Sequence, residues 1–338
     1  MPEPRKLKTK IAIVGWGNVG RGVYQAIQKN PDMELIGIIS RTPKRVNDEF
    51  GNKPDAPLIY ALGTVDDNLW KRMEADVAVL CGGSATDLPE QGPYFAQFFN
   101  TVDSFDTHAK IPEYFDKMNR VAKGNNHVAV ISAGWDPGIF SVERVLGNAF
   151  LPGSRAYTFW GRGVSQGHSD ALRRVPGVLD AIQYTVPVQE ALSSVRSGVN
   201  PELTTRQKHM RECFVALKPR ANPDEVRKAI VTMPNYFADY NTSVVFETPE
   251  QVAKRKKEMP HAGFVLTSGK TGNGNKAVVE YSNTWKSNPE ATGSILVACA
   301  RACHRLSLEG RAGAFTMLDI PPAMLSPLSQ EELLRSWM

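Results

Sequence analysis

The sequence predicts an α/β fold, with a Rossmann-type doubly wound sheet plus a second α+β lobe that has a mainly antiparallel sheet. Three observations support this prediction. Apolar residues 11–14 lead into a glycine-rich turn, and helical spacing follows over residues 21–29. Strand and helix patterns then alternate as far as residue 134, after which strand-like runs dominate. The length of 338 residues exceeds what one hydrophobic core usually holds, which favours two domains.

The glycine-rich turn has the G-x-G-x-x-G spacing of a dinucleotide-binding site. Gly15 would let the strand turn sharply, Gly17 would let the backbone approach a pyrophosphate, and Gly20 would let the helix pack on the strand. The backbone amides of Asn18 and Val19 would then point at the phosphates from the helix N-terminus. The pattern therefore favours dinucleotide binding over a purely structural turn.

The end of the second strand, residues 35–39, indicates which dinucleotide is bound. An NAD site usually carries an acidic residue there, for the ribose 2′-hydroxyl. This chain has Ser40, Arg41 and Thr42 instead, and the nearest carboxylates come well after the turn. Hydroxyl and guanidinium groups can hold a 2′-phosphate, which a carboxylate would repel. The alternative is a solvated basic loop, but the position favours NADP over NAD.

Further strand patterns at residues 76–80, 100–105 and 128–132 complete the first lobe, with helical patterns at 90–99 and 112–123. Small residues follow the first of these strands, at the carboxyl edge where open α/β sheets bind ligands. Its serine and threonine could also cap the next helix. The predicted cofactor-binding residues in this loop are Cys81, Gly83, Ser84, Ala85 and Thr86.

The alternating pattern ends at residues 134–138, and a helical pattern over 139–149 follows. Strand-like runs come next, at residues 156–160, 212–217, 243–246, 263–267 and 277–281. An apolar helix is predicted over residues 293–306, and the proline-containing end of the chain is expected to pack back on the first lobe. The predicted domains are residues 1–134 for the dinucleotide, 135–306 for substrate and dimerisation, and 307–338 as the returning segment.

Composition excludes several classes of protein. The net charge is only +5, no apolar run approaches membrane-spanning length, and the N-terminal leader lacks the apolar segment of a secretory signal. The basic run at residues 254–257 is interpreted as a solvated helix face rather than a nucleic-acid site. The six histidines form no H-E-x-x-H motif, so no metal is expected. The four cysteines are predicted to be reduced thiols of a cytoplasmic protein: Cys81, Cys213, Cys299 and Cys303.

Three clusters that could carry chemistry fall at or after strand ends, at residues 103–106, 135–136 and 161–170. Carboxylates at strand ends suit an ammonium group or a proton relay, although helix capping is an alternative, above all for Asp103. The glycine-rich loop could offer backbone N–H groups to a carboxylate, or it could be a plain connection.

These clusters resemble the meso-diaminopimelate dehydrogenases, an NADP-dependent D-amino acid dehydrogenase family. The resemblance extends over nearly the whole chain, and its second-lobe motifs are specific because a generic NADP enzyme does not need them. The matching segments are Gly15–Gly20, Gly83–Asp87, Thr101–Asp106, Gly134–Gly138, Phe159–Gly161, Ser165–Arg174, Met259–His261 and Gly313–Thr316.

The resemblance implies reversible oxidative deamination of meso-2,6-diaminopimelate at its D-centre, which gives L-2-amino-6-oxopimelate, ammonia and NADPH on the route to lysine and peptidoglycan. It implies that Asp106 and Asp136 are catalytic and face the D-centre ammonium, although the proton acceptor is left open between them and a bound water. It also implies a homodimer. The implied substrate-binding residues are Trp135, Trp160, Gln166, Gly167, Thr185, Arg211, His261 and Asn288, with Asn283 as a rival to Asn288.

The charges of these residues fit the implied substrate, because diaminopimelate carries two carboxylates and two ammonium groups. Asp106 and Asp136 offer negative charge and Arg211 offers positive charge. Two alternatives are a dihydrodipicolinate reductase, whose H-H and K-x-x-x-G-T-A motifs are not found here, and a redox-sensing module that holds NADP without chemistry. A sensor would not need groups of both signs in the second lobe.

Overall fold

The computed structural model describes residues 8–51, 56–63 and 67–338. The prediction that the N-terminal leader is not a secretory signal concerns residues that lie mostly outside these ranges. The chain forms two compact units, and the first comprises the chain up to Val142 together with Pro289–Met338. The second unit is Glu143–Asn288.

The first part of the chain alternates strands and helices, as predicted. Its strands are β1 (Thr9–Val14), β2 (Met33–Ser40), β3 (Leu58–Ala61), β4 (Val77–Leu80), β5 (Asn100–Asp103) and β6 (Val128–Val130). Its helices are α1 (Asn18–Lys29), α2 (Pro43–Phe50), α3 (Asp67–Arg72), α4 (Leu88–Phe95) and α5 (Ile111–Gly124).

The second unit is richer in long strands. They are β7 (Arg155–Trp160), β8 (Gly163–Val164), β9 (Val178–Pro187), β10 (His209–Leu217), β11 (Asn241–Phe246), β12 (His261–Lys270) and β13 (Lys276–Trp285). The helices are α6 (Phe140–Phe150), which begins in the first unit, α7 (Gln166–Arg173), α8 (Gln189–Arg196), α9 (Thr205–Lys208), α10 (Pro223–Val231) and α11 (Pro249–Lys256).

The end of the chain returns to the first unit. Its elements are α12 (Asn288–Leu308), β14 (Gly313–Phe315), α13 (Pro322–Leu325) and α14 (Gln330–Trp337). Strand β14 pairs in parallel with β6, so the return extends the parallel sheet. None of the helices in the described ranges is long and apolar enough to cross a membrane.

The first unit contains a seven-stranded sheet in the order β14-β6-β5-β4-β1-β2-β3, and all of its pairs are parallel. This order reverses between β1 and β4, and ligands of doubly wound sheets bind at such a switch point. The four residues of β4 are all buried, as expected for a parallel strand covered on both faces. The predicted Rossmann-type sheet is confirmed.

The second unit contains two smaller sheets, a four-stranded one in the order β11-β10-β9-β8 and a three-stranded one in the order β13-β12-β7. Every pair in them is antiparallel except β10 with β11. The predicted second lobe with a mainly antiparallel sheet is therefore confirmed.

Helix α12 belongs to the first unit for all but its first residue, because glycines let it pack against α1. A Cβ added to Gly293 would lie 2.3 Å from the Gly22 backbone, and one added to Gly22 would lie 2.4 Å from the Pro289 carbonyl oxygen. Arg301 of α12, only 3% exposed, holds Asp32 through two hydrogen bonds of 2.6 and 2.9 Å. The observed unit boundaries thus differ from the predicted 134 and 306, since contacts that are distant in sequence decide them.

Candidate active site

Each glycine of the turn between β1 and α1 has a distinct structural role. Gly15 has a φ of +99°, which favours glycine. A Cβ on Gly20 would lie 2.2 Å from the Gly15 carbonyl oxygen, so only glycine lets α1 start this close to the strand. At Gly17 a Cβ would have no described atom within 4 Å apart from those of its immediate chain neighbours. This open backbone and the first-turn amides of Asn18 and Val19, which no side chain caps, form a helix N-terminus that suits a diphosphate.

Strand β2 ends in the hydroxyl and guanidinium groups that the NADP prediction names. Ser40 is buried, and its Oγ accepts a hydrogen bond from the backbone N–H of Thr42 at 3.1 Å. The Arg41 side chain is 69% exposed and forks onto both carboxylate oxygens of Asp87 at 3.2 Å. Because an exposed ion pair contributes little stability, Arg41 can exchange Asp87 for a phosphate at small cost.

Glu49 of α2 is bound to residues of the glycine-rich turn and of α1. Glu49 accepts a hydrogen bond from the Trp16 indole at 2.7 Å and two from the Arg21 guanidinium at 2.5 and 3.2 Å. The hydrogen bond from Arg21 is the main reason that the pKa of Glu49 lies below its usual range. Glu49 therefore ties the glycine-rich turn to α2.

The loop after β4 stands beside the glycine-rich turn. The Cys81 N–H donates to the carbonyl oxygen at the end of β1 at 2.7 Å, and the Gly83 N–H donates to the Asp87 carboxylate at 2.9 Å. Gly83, Ala85 and Thr86 are exposed. The structure thus brings the predicted cofactor residues of three strand ends together at one edge of the sheet.

The predicted catalytic carboxylates leave the same edge on neighbouring loops, after the paired strands β5 and β6. Asp106 is exposed, and its N–H donates to the Ser84 Oγ at 2.8 Å, which joins it to the cofactor loop. Asp136 is half-buried in the irregular turn Trp135–Ile139. The Trp135 ring is 6% exposed and lies 4.5 Å from the Phe140 ring, centroid to centroid.

Arg211 is the most informative residue of the second unit, because it is a buried cation. It is 6% exposed, donates to the Thr185 hydroxyl across the β9–β10 pair, and has its Cζ 3.8 Å from the centroid of the Tyr240 ring. Among the described residues, its Nε has no hydrogen-bond partner and no Asp or Glu lies within 4.0 Å of it. Burial lowers its pKa. A buried guanidinium without a carboxylate is costly unless an anionic ligand completes it.

Two buried histidines, His209 and His261, begin strands of the second unit. The Nε2 of His209 accepts the backbone N–H of Trp160 at 2.8 Å, and His261 packs so tightly on Gly163 that a Cβ there would lie 2.4 Å from its Nδ1. Burial, assisted by the charge of Arg211, lowers the pKa of His209 to about 3. Burial lowers the pKa of His261 to about 4. Both rings are thus uncharged near neutral pH and add no positive charge to that of the Arg211 guanidinium.

The predicted carboxylate-binding amides stand at the N-terminus of α7. Ser165 caps this helix: its Oγ accepts the His168 N–H at 3.4 Å and lies 2.7 Å from the His168 Nδ1. The amides of Gln166 and Gly167 are therefore first-turn donors, which no helical hydrogen bond uses. Residues 163–167 also match the G-x-S-x-G pattern of hydrolases, but Ser165 has an ordinary extended backbone and a capping role, unlike a strained nucleophile turn.

The structure separates the two asparagines that the sequence leaves as rivals. The Asn283 amide donates to Glu143 at 2.9 Å. The Asn288 N–H donates to the Met259 carbonyl oxygen at 2.9 Å, and Met259 in turn contacts Gln166 through its Sδ at 3.1 Å. Asn288 therefore lies beside Met259, which contacts Gln166, whereas the side chain of Asn283 is bound to Glu143.

Several residues of this region were not predicted from the sequence. His209 and Tyr240 have no motif around them, Asp87 ends a matching segment without being assigned a role, and Asp103 was expected most of all to cap a helix. One signal was available: His209 and Arg211 are two positions apart and continue the inward face of the strand that carries Cys213. Among the described residues, no three His, Cys, Asp or Glu side chains come together as a metal site.

Comparisons with known proteins agree with this geometry. The family model described as "Diaminopimelic acid dehydrogenase C-terminal domain" matches residues 134–287. The meso-diaminopimelate D-dehydrogenase of Ureibacillus thermosphaericus is 55% identical over 327 residues, which cover 96% of this chain and 98% of that protein.

Two solved structures extend the comparison. A variant of the Clostridium tetani E88 enzyme with diaminopimelate bound is 46% identical, has a TM-score of 0.89, and covers 98% of this chain and 100% of that one. An engineered D-amino acid dehydrogenase bound to NADP+ is 41% identical, has a TM-score of 0.82 and covers the same shares. The predicted family is confirmed: the chain is an oxidoreductase and belongs to the meso-diaminopimelate D-dehydrogenases.

Proposed function

We propose that this protein catalyses the reversible, NADP-dependent oxidative deamination of meso-2,6-diaminopimelate at its D-centre, with L-2-amino-6-oxopimelate and ammonia as products. The observation that carries the proposal is the buried Arg211, which has Thr185 and Tyr240 beside it and no carboxylate within ion-pair distance in the described chain. A dicarboxylic, diamino substrate supplies the missing anion.

The remaining residues of the second unit suit the distal L-amino acid end of that substrate. The Arg211 guanidinium would take the L-carboxylate in a forked pair, beside the hydroxyl of Thr185. Asn288 and His261 would contribute neutral polar groups, and His261 stays uncharged because burial lowers its pKa to about 4. The first-turn amides of Gln166 and Gly167 would receive the D-centre carboxylate without adding a second cation.

The residues of the first unit fit NADP. The open Gly17 backbone and the uncapped start of α1 would hold the diphosphate, and Ser40, Arg41 and Thr42 would hold the 2′-phosphate. NADP held by these residues would supply the acceptor for the hydride that leaves the D-carbon.

The proposed chemistry of the protein itself falls to the two strand-end carboxylates. Asp106 and Asp136 would pair with the D-centre ammonium, and one of them, or a water that they hold, would take the proton that must leave nitrogen before hydride transfer. Trp135 would shield the reacting carbon from water, and Trp160 would contact the substrate.

We further propose that the protein works as a cytoplasmic homodimer, as the family resemblance implies. The second unit offers a surface for a second copy on α6, where the side chains of Val145, Leu146 and Phe150 are 50%, 39% and 61% exposed. Exposed apolar groups that lie together on one helix are typical of an interface.

The proposed function is tested with three diaminopimelate stereoisomers. NADPH formation is followed by absorbance with the meso, L,L and D,D forms, and only the meso form should support rapid turnover together with release of ammonia. Equal rates with all three isomers, or none with the meso form, would contradict the proposal.

The role of Arg211 is tested by Arg211→Met, which keeps much of the side-chain volume and removes the charge. Loss of one partner of a buried charge pair costs about 2–5 kcal/mol, so we expect KM for meso-diaminopimelate to rise by at least about 30-fold. The affinity for NADP should change little. The matched control is Arg206→Met, which removes an exposed arginine that precedes β10 by three residues. Similar KM values for both variants would remove Arg211 from the site.

A further inference from the structure

We propose that Asp103 is a positioning residue for the reaction, which holds the Asp106 loop and the Asp136 loop at a fixed distance from each other. The inference rests on the proposed function, because it concerns the two carboxylates to which that function assigns the D-centre. Asp103 itself would touch neither substrate nor cofactor.

The hydrogen bonds of Asp103 join the two loops directly. Its Oδ1 accepts the backbone N–H of Phe105 at 2.9 Å and that of Ser132 at 3.0 Å, so one oxygen atom binds both loops. Its own carbonyl oxygen accepts the N–H of Ala133 at 2.8 Å. Phe105 directly precedes Asp106, and Ser132 and Ala133 lead into the turn that carries Asp136.

The second carboxylate oxygen fixes the orientation of the side chain. Oδ2 accepts the Tyr114 hydroxyl at 2.8 Å, and the Tyr114 ring stacks on Phe105 with the centroids 4.2 Å apart. Burial raises the pKa of Tyr114, which therefore remains a phenol and a hydrogen-bond donor. With both oxygens bound, the carboxylate cannot rotate away from the two loops.

The backbone of the second loop needs this support. Ser132 is 5% exposed and has a φ of 53°, a left-handed conformation that side chains other than glycine seldom adopt. Such a conformation persists only where its surroundings determine it. The Oδ1 bond to the Ser132 N–H is one such determinant, and the residue lies four positions before Asp136.

Stability alone does not account for this carboxylate. Asp103 is fully buried, and no Lys or Arg of the described ranges lies within ion-pair distance of it. Burial raises its pKa, which indicates that the site disfavours its charge. An apolar residue would end β5 at lower cost, but it could not bridge two loops by accepting N–H groups from both.

The experiment compares Asp103→Ala with Asp103→Asn in the full-length protein. Asparagine keeps an oxygen for the two N–H donors, and its amide can donate to the Tyr114 oxygen. We expect alanine to lower kcat at least 30-fold with the NADP Kd and the substrate KM within threefold, and we expect asparagine to recover kcat to within fivefold of the parent.

A control separates positioning from general destabilisation. Asp32→Asn weakens the Arg301 ion pair at the opposite edge of the same sheet, so it should lower the melting temperature and leave kcat unchanged. If alanine at position 103 does not fold, Tyr114→Phe tests the same bridge, and a three- to tenfold loss of kcat is expected. Unchanged kcat in a folded Asp103→Ala or in Tyr114→Phe, or no recovery with asparagine, would overturn the inference.

Hydrogen–deuterium exchange tests the positioning role of Asp103 independently of the proposed function. Asp103→Ala should accelerate exchange at the amides of Phe105 and Ser132, whether or not the protein oxidises diaminopimelate. An inactive parent protein with this acceleration would contradict the proposed function only, whereas unchanged exchange in an active protein would contradict the positioning role.

Discussion

At the scale of single residues, the two units use buried charge in opposite ways. Asp103 in the first unit has all of its carboxylate oxygens bound by the protein, so it serves the architecture. Arg211 in the second unit keeps a buried Nε to which no group of the described residues is hydrogen-bonded, so it is prepared for a ligand. The residue types alone do not distinguish these cases, because the difference lies in which donors and acceptors the fold places around each charge.

The prediction at this scale concerns the contribution of Arg41 to NADP binding. Arg41→Ala should weaken NADP binding about three- to tenfold, because a hydrogen bond to a charged group contributes about 1.5–3 kcal/mol when desolvated and less at an exposed site such as that of Arg41. NAD, which lacks the 2′-phosphate, is the internal control and should lose less than threefold. Dissociation constants from fluorescence titration measure both, and equal losses for the two cofactors would reject the 2′-phosphate role.

At the scale of elements, close helix packing depends on glycines whose importance the sequence hides. The fingerprint glycines Gly15 and Gly20 are recognisable because their spacing is known to accompany a strand and a helix. Gly22 and Gly293 are 271 residues apart in the chain and have no motif, yet each would clash with backbone if it carried a Cβ. Contacts of this kind come from the fold and not from local pattern.

Gly293→Ala is therefore expected to destabilise the first unit. The new Cβ would meet backbone atoms of α1 at 2.3–2.7 Å, which cannot move aside as a flexible side chain could, so we expect a loss of about 2–3 kcal/mol in the free energy of unfolding. Gly124→Ala is the matched helical control, since no described atom lies within 4 Å of its Cβ. Its stability should stay level or rise by up to about 1 kcal/mol. Urea unfolding of both variants measures the difference in stability, and equal midpoints for the two would contradict the predicted clash at Gly293.

At the scale of the whole molecule, the chain leaves its first unit at Val142 and returns at Pro289. The return adds α12 and the seventh strand, β14, to the parallel sheet. The second unit is thus an insertion, because the chain enters it from the first unit and returns to the first unit after it. Helix α6, at the start of this insertion, carries a surface of exposed apolar side chains.

That surface gives the prediction at this scale. Light scattering after size exclusion should give twice the chain mass of 37.3 kDa, and Val145→Glu combined with Phe150→Glu should shift it to one chain mass, because burial of two carboxylates in an apolar interface is costly. Leu308→Glu is the control, since Leu308 is also apolar and 75% exposed but lies at the end of α12. A dimer that survives the double change would place the interface elsewhere.

The sequence by itself determined the Rossmann-type sheet, the glycine-rich turn and the hydroxyl and guanidinium end of β2. It could do so because strand and helix periodicity and turn chemistry are local, and a fixed spacing of glycines has few structural meanings. The resemblance of motifs to one family supplied the substrate and its candidate residues.

Only the tertiary structure decided which of those residues meet and which charges are satisfied. Strand β10 begins at His209, whereas the sequence predicts a start three residues later, at Glu212. The prediction misses the first residues because polar side chains that face a site break the apolar alternation that marks a strand. The bridge that Asp103 makes, the open Nε of Arg211 and the return of α12 all depend on partners far away in the chain. Such partners leave no periodic trace in the sequence, since burial and hydrogen bonding are properties of the folded neighbourhood and not of the residue.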